Sequence, residues 1–247
     1  MPRRDLGLVI LSSLLGVVGN QFLYVKGLSL STVINATLIS TSIPAFALIM
    51  SMLFGYDQLS LRRAIGVLLA ASGVVYLVDP LRADISSQTT LGNLLMITSS
   101  FLYGAYIVLS KDLLERYGAL NVITWIFFVG SVLAAPVGFY SLSGENFEVI
   151  GWGIWLIVVF IILLPTVGAY YLNGWALTKV APSVVAVYIY FQPLIAFGLA
   201  PILLGESWGW RAVIASILIF SGVAIVTKRG RSLAVREISE HPDALAR

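Results

Sequence analysis

Apolar runs about 20 residues long recur along almost the whole chain, divided by short turns that carry nearly all of its charge. Such runs suit the hydrocarbon core of a bilayer, where about 20 predominantly apolar residues in a helix bridge the membrane and every backbone group must bond within its own helix. Eight runs qualify, at roughly 6–25, 30–54, 61–78, 91–111, 120–141, 151–174, 181–204 and 209–227. The predicted fold class is therefore an all-α polytopic membrane protein. Composition agrees: 59% of the 247 residues are hydrophobic, 11% are charged, and the mean hydropathy is +0.95. Ordinary soluble domains have about 25% charged residues.

The turns carry their own signals, at Tyr56-Asp57-Gln58, Asp79-Pro80-Leu81-Arg82, Glu115-Arg116-Tyr117-Gly118 and Ser143-Gly144-Glu145-Asn146. Positive charge near span ends is retained on the cytoplasmic side. With the N-terminus inside and eight crossings, twelve basic residues fall inside and only Lys26, Arg82 and Arg211 outside. Both termini are thus expected in the cytoplasm, with residues 228–247 as a polar tail. The short loops suggest a bacterial inner membrane. The net charge of +3 sits in these turns and forms no basic face, which argues against a nucleic-acid partner. The absence of cysteine excludes disulfides and thiolate chemistry. The first twenty residues, Arg3 and Arg4 followed by an apolar stretch, read as a span and not as a removable signal, because the stretch recurs internally.

That recurrence has a fixed offset. A shift of 149 residues aligns Leu14-Leu15 with Leu163-Leu164, Gly19 with Gly168, Leu28 with Leu177, Pro44 with Pro193, Arg62 with Arg211, and Ser72-Gly73-Val74 with Ser221-Gly222-Val223. Pro, Gly and Arg in register across three successive helices point to duplication. The first run matches the sixth, five crossings later, so the two copies would run in opposite directions. Inverted repeats of this kind characterise secondary transporters that bind solute near the membrane midplane between the halves. The expected division is 1–80 as a partial first repeat of three helices and 91–227 as a second repeat of five. Two helices that would open the first repeat have no counterpart here.

The residues Gly19-Asn20-Gln21-Phe22-Leu23-Tyr24, Gly27-Leu28, Ile43-Pro44-Ala45-Phe46, Leu59-Ser60-Leu61-Arg62 and Ser72-Gly73-Val74 resemble the first half of the EamA branch of the drug/metabolite transporter superfamily. Ala176-Leu177, Pro193, Gly205-Glu206 and Ser221-Gly222-Val223 repeat that pattern. The resemblance implies a five-plus-five helix fold in the plasma membrane with a central cavity, used to export amino acids or similar metabolites. Two departures stand out: the missing first two helices, and Tyr56-Asp57 where the family usually shows Gly-Glu.

No Asp or Glu lies within a proposed span, and the single histidine, His241, is in the tail, so a conventional proton relay is not expected. Uncharged polar groups take their place at helical spacing, and lipid would leave them unsatisfied, so they should face the bundle interior. Asn20, Asn35, Tyr103, Tyr170, Asn173, Tyr188 and Gln192 are the candidate cavity residues, although the same side chains also join helices structurally. Pro44 and Pro193 each remove a backbone donor and are expected to bend equivalent helices. Gly16, Gly19, Gly66 and Gly73 should permit close helix approach. Trp152, Trp208 and Trp210 read as interfacial anchors.

The spans hold no paired carboxylates, histidine cluster or activated nucleophile, and no phosphate-binding loop is present, so neither an enzyme nor a cofactor is expected. A secondary exporter is the leading reading; a non-transporting structural or regulatory membrane protein is its main rival. The expected partners are a small-molecule solute and the lipid bilayer. A homodimer joins them if eight helices are the whole molecule, since a second copy would then have to complete the cavity.

Overall fold

The structure, a computed structural model, describes residues 3–58, 60–78, 87–143, 151–195 and 210–228. Four expected features lie outside these residues: the turns at 79–86 and 144–150, the stretch 196–209 with Gly205-Glu206 and Trp208, and the tail from 229. Among the described residues all regular structure is helical. Five helices are long and apolar enough to cross a membrane: Asp5–Ser29, Asn35–Leu53, Thr89–Tyr117, Ala119–Leu142 and Trp152–Leu177. Shorter apolar helices occupy Pro182–Ile195 and Val213–Thr227, and a further helix, Leu61–Val78, opens on Arg62 and Arg63. The chain is a membrane protein of several passes.

Local chemistry explains where the long helices bend. The first carries a π-helical turn at Leu14–Gly19, and the helix of 152–177 carries one at Ile162–Gly168 around Pro165, which has no N–H to donate. The run expected at 30–54 is two helices, Val33–Ser40 and Ile43–Leu53. Thr32 caps the first by accepting a hydrogen bond from the Asn35 amide. The break follows from Thr41 and Ser42, whose hydroxyls donate back to the carbonyls of Leu38 and Ile39, and Pro44 then stands in the first turn of the new helix. A matching break occurs at Tyr188–Tyr190, a 3₁₀ turn just before Pro193. Gly118, with φ +77°, makes the tight turn between Lys111–Tyr117 and Ala119–Leu142.

Small residues set the helix packing. A Cβ on Gly66 would lie 2.9 Å from the Gly222 carbonyl oxygen, and one on Gly73 would lie 3.0 Å from that of Ala215. The 61–78 and 210–227 helices therefore cross antiparallel at near backbone contact. Residues 66 and 215 are 149 apart, as are 73 and 222, so the contact is reciprocal at that offset. The Tyr190 hydroxyl donates to the Thr41 carbonyl at 2.9 Å, and these two residues are also 149 apart. Gly27 and Gly92 bring the first helix against 87–109 in the same way.

Apart from Lys26, most of the described charges gather at one end. There Arg116 and the Tyr117 hydroxyl hold Asp5 at 3.0 Å and 2.6 Å, Ser51 and Arg63 hold Asp57, and Tyr56 donates to Asp112 at 2.6 Å. The buried Lys111 ammonium donates to Glu115 and to the Leu177 and Val180 carbonyls. Burial and the Asp112 carboxylate push the Tyr56 phenol well above its ordinary value, so it remains a neutral donor. Inward from this end lies an apolar core that includes Val9, Leu113, Leu114, Val122, Ile126, Leu177 and Ala186.

Candidate functional site

Beyond that core, where the broken helices meet, lies a cavity of about 330 Å³. A second space of about 220 Å³ adjoins it and shares Tyr24, Ser40, Ile189 and Gln192 in its walls. Both sit where backbone regularity fails. Asn20 and Gln21 follow the first π turn, Ala169 and Tyr170 follow the second, Ser40 precedes the break at 41–42, and Tyr188 and Ile189 belong to the 3₁₀ turn. Such irregularities often mark functional sites, because they free carbonyls and redirect side chains.

Tyr170 shows this directly. Its buried hydroxyl donates at 2.5 Å to the carbonyl of Gly16, inside the π turn of the first helix, and Gln21 stands beside it in the same cavity wall. Tyr170 also packs against Tyr103, Tyr106 and Phe127, with ring centroids 6.1, 5.8 and 5.2 Å away. Of these rings Tyr103 and Tyr170 line the cavity, and all four belong to or pack against the apolar core. Asn173, close to one turn on from Tyr170, lines the same cavity as Tyr103. Tyr188 is half exposed and stacks on Phe191.

The structure brings together Asn20, Tyr103, Tyr170, Asn173, Tyr188 and Gln192 in the cavity wall. Asn20 is also committed structurally, because its amide donates to both the carbonyl and the hydroxyl of Ser99, and that hydroxyl donates back to the Asn20 carbonyl. Asn35 lies elsewhere. It is buried in a polar knot where its amide donates to Ser31 and to Asn93, tying 33–40 to 87–109. Pro193 borders the smaller space; Pro44 is buried beside the break and borders neither. Gln21 and Ser40 also line the cavity without having been expected there, as does Tyr24, which shares an inward helical face with Asn20. The 149-residue offset carried the missing signal for two of them, since it pairs Gln21 with Tyr170 and Tyr24 with Asn173. Among the described residues no cluster of His, Cys, Asp or Glu could hold a metal ion.

The fold and site define a helical membrane protein of several passes with a cavity walled by amides and phenols. The chain belongs to the EamA-like transporter family, whose model matches residues 1–78 and 90–228. It is 28% identical over 229 residues to an uncharacterized transporter of Archaeoglobus fulgidus, an alignment covering 91% of this chain and 76% of that one. A WAT1-related protein of Arabidopsis thaliana is 22% identical, with 95% of this chain and 69% of that one aligned. The uncharacterized transporter YetK of Bacillus subtilis is also 22% identical, covering 91% and 69%. A solved structure described only as a crystal structure of protein superposes with a TM-score of 0.77 at 19% identity, over 92% of this chain and 79% of that one. This last likeness concerns the fold alone.

Proposed function

We propose that the chain is a secondary transporter that exports amino acids or similar small metabolites by alternating access of two inverted repeats, 1–80 and 91–227. In this reading eight helices cross a bacterial inner membrane, and the charged end, both termini and the tail 228–247 face the cytoplasm. The observation that carries it is the composition of the cavity: Gln21 with Tyr170, and Tyr24 with Asn173, line the same space, each pair separated by the repeat offset. A solute there touches both halves at once, so a rocking of one half against the other would move it between faces. Other features fall into the same register, namely the two π turns, the two helix breaks, the Tyr190–Thr41 hydrogen bond and the reciprocal glycine contacts.

Overproduction in a bacterial host should raise tolerance to, and lower cellular content of, at least one amino acid or related metabolite. Asn173→Leu and Gln192→Leu should each abolish that effect at unchanged membrane levels. Normal efflux by both variants would refute this cavity as the solute site.

One observation favours the rival, non-transporting reading. No residue of 152–168 is buried, although the equivalent face of the first helix is covered by Leu102, Tyr106 and Gly130. A molecule lacking cover on that face would expose its cavity sideways. Under the rival reading no solute pool changes on deletion or overproduction.

A further inference from the structure

We propose that the cavity selects solutes of zero net charge and rejects both anions and cations; the proposal rests on the transporter reading and names the substrate class of that same site.

The groups that could bond a solute there are Gln21, Asn173 and Gln192 with Tyr24, Tyr188 and Ser40. Each amide offers a donor and an acceptor together, as do the phenols, while Ser40, whose hydroxyl donates to the Ala36 carbonyl, offers an acceptor. Such a wall pairs well with hydroxyls, amides or ring nitrogens, but it cannot neutralise a net charge. No ionisable Asp, Glu, Lys, Arg or His stands among the described lining residues of either space. Apart from Lys26, the main charges of the same helices are instead drawn off to one end and paired there: Asp5 with Arg116, Asp57 with Arg63, Lys111 with Glu115. Chain order keeps them away from the solute. Along 87–117 the lining residue Tyr103 comes first, and the first charge after it, Lys111, stands eight residues on, about 12 Å along the helix axis, where Glu115 pairs with it. The nearest cation in sequence, the exposed Lys26, follows Tyr24 by two residues and therefore points about 200° away around the helix.

An ion entering this space loses hydration without gaining a counter-charge, and the aromatic wall lowers the local dielectric further. A neutral solute exchanges its water contacts for amide and phenol contacts, while a flat part of it can rest on Tyr103 and Tyr170. The discrimination is therefore electrostatic and acts on net charge of either sign.

The chain has no cysteine, which permits a test on the whole protein without knowing the solute. Ser40→Cys places a thiol in the wall shared by both spaces, and Ser143→Cys places one at the exposed end of the 119–142 helix as a reference. Each purified variant is reacted with neutral, cationic and anionic methanethiosulfonate reagents of similar size. At Ser40→Cys the neutral reagent should keep its reference rate within a few-fold, and both charged reagents should fall by about tenfold or more relative to theirs, the cost of one unbalanced charge in a partly dry site. Adding Gln192→Glu should recover the cationic reagent alone. A charged reagent that keeps pace with the neutral one, no effect of Gln192→Glu, or no reaction of Ser40→Cys with any reagent would each overturn the proposal.

Uptake into proteoliposomes separates this from the transport reading, using glutamine and glutamate, which differ by an amide against a carboxylate. Glutamine alone transported supports both readings. Equal transport of the two overturns charge selection and keeps the transporter. Neutral-only labelling without transport of either overturns amino-acid transport by this chain and keeps charge selection.

Discussion

Two buried side chains, Lys111 and Tyr170, each bond to backbone carbonyls released by irregular helix geometry. Lys111 reaches the Leu177 carbonyl at 2.7 Å and that of Val180 at 3.2 Å, where the helix of 169–177 ends and its last carbonyls lack partners. Lys111→Met keeps the apolar stem and removes all of these bonds, so it should cost about 1.5–3 kcal/mol, the range for hydrogen bonds to a charged group. Thermal unfolding in detergent would read this as a lower midpoint. Tyr170→Phe leaves the Gly16 carbonyl buried without its donor and should cost about 1–3 kcal/mol by the same measurement. An unchanged midpoint in either variant would show that the bond is replaceable by water. The importance of Lys111 was not legible in the sequence, where it appeared only as one of the retained positive charges. Besides Glu115, its partners are backbone atoms 66 and 69 residues away, and no side-chain pattern announces them.

Glycine spacing, by contrast, was legible at the scale of paired helices. Gly16, Gly19, Gly66 and Gly73 were expected at close approaches, and a Cβ on each would meet Tyr106, Leu102, the Gly222 carbonyl and the Ala215 carbonyl respectively within 3.0 Å. Gly222 is the tightest backbone contact of the pair 61–78 and 210–227, since its added Cβ would lie 2.5 Å from both the Ala70 nitrogen and the Gly66 oxygen. Neither atom can rotate away. Gly222→Ala should therefore push the helices apart and destabilise the fold by about 1–3 kcal/mol. Gly138→Ala is the matched control: it meets nothing within 4 Å inside a helix and should gain up to about 1 kcal/mol. Similar midpoints for the two variants would mean that this helix pair does not depend on backbone contact. The break at Thr41–Ser42 was hidden for a different reason. Hydropathy is continuous from 30 to 54, and hydropathy does not register two hydroxyls that compete for the carbonyls three residues back.

Over the whole molecule, the all-helical membrane character could be read from the sequence, because lipid enforces helices, and six of the seven candidate residues lie in the wall of one cavity. Asn35 shows the limit of that reasoning: inward-facing is not cavity-facing, and Asn93 claimed its amide. The arrangement of the charges has a consequence for the transport cycle. Asp5 to Arg116 and Tyr117, and Tyr56 to Asp112, join the segment 1–80 to the segment that follows it, all at the end sealed by the apolar core. If alternating access operates, these ties favour the closed state of that end, and their loss should populate the state open there. Removing bonds worth about 2–3 kcal/mol in total shifts such an equilibrium by about 30–160-fold. The double variant Asp5→Asn, Arg116→Gln should therefore raise the labelling rate of a thiol placed in the sealing core at Ala186, fully buried here, by at least about tenfold. Circular dichroism should show unchanged helix content, which separates opening from unfolding. If Ala186→Cys stays protected in the double variant, the end is held by core packing alone, and the ion pairs serve orientation in the membrane without any part in the cycle.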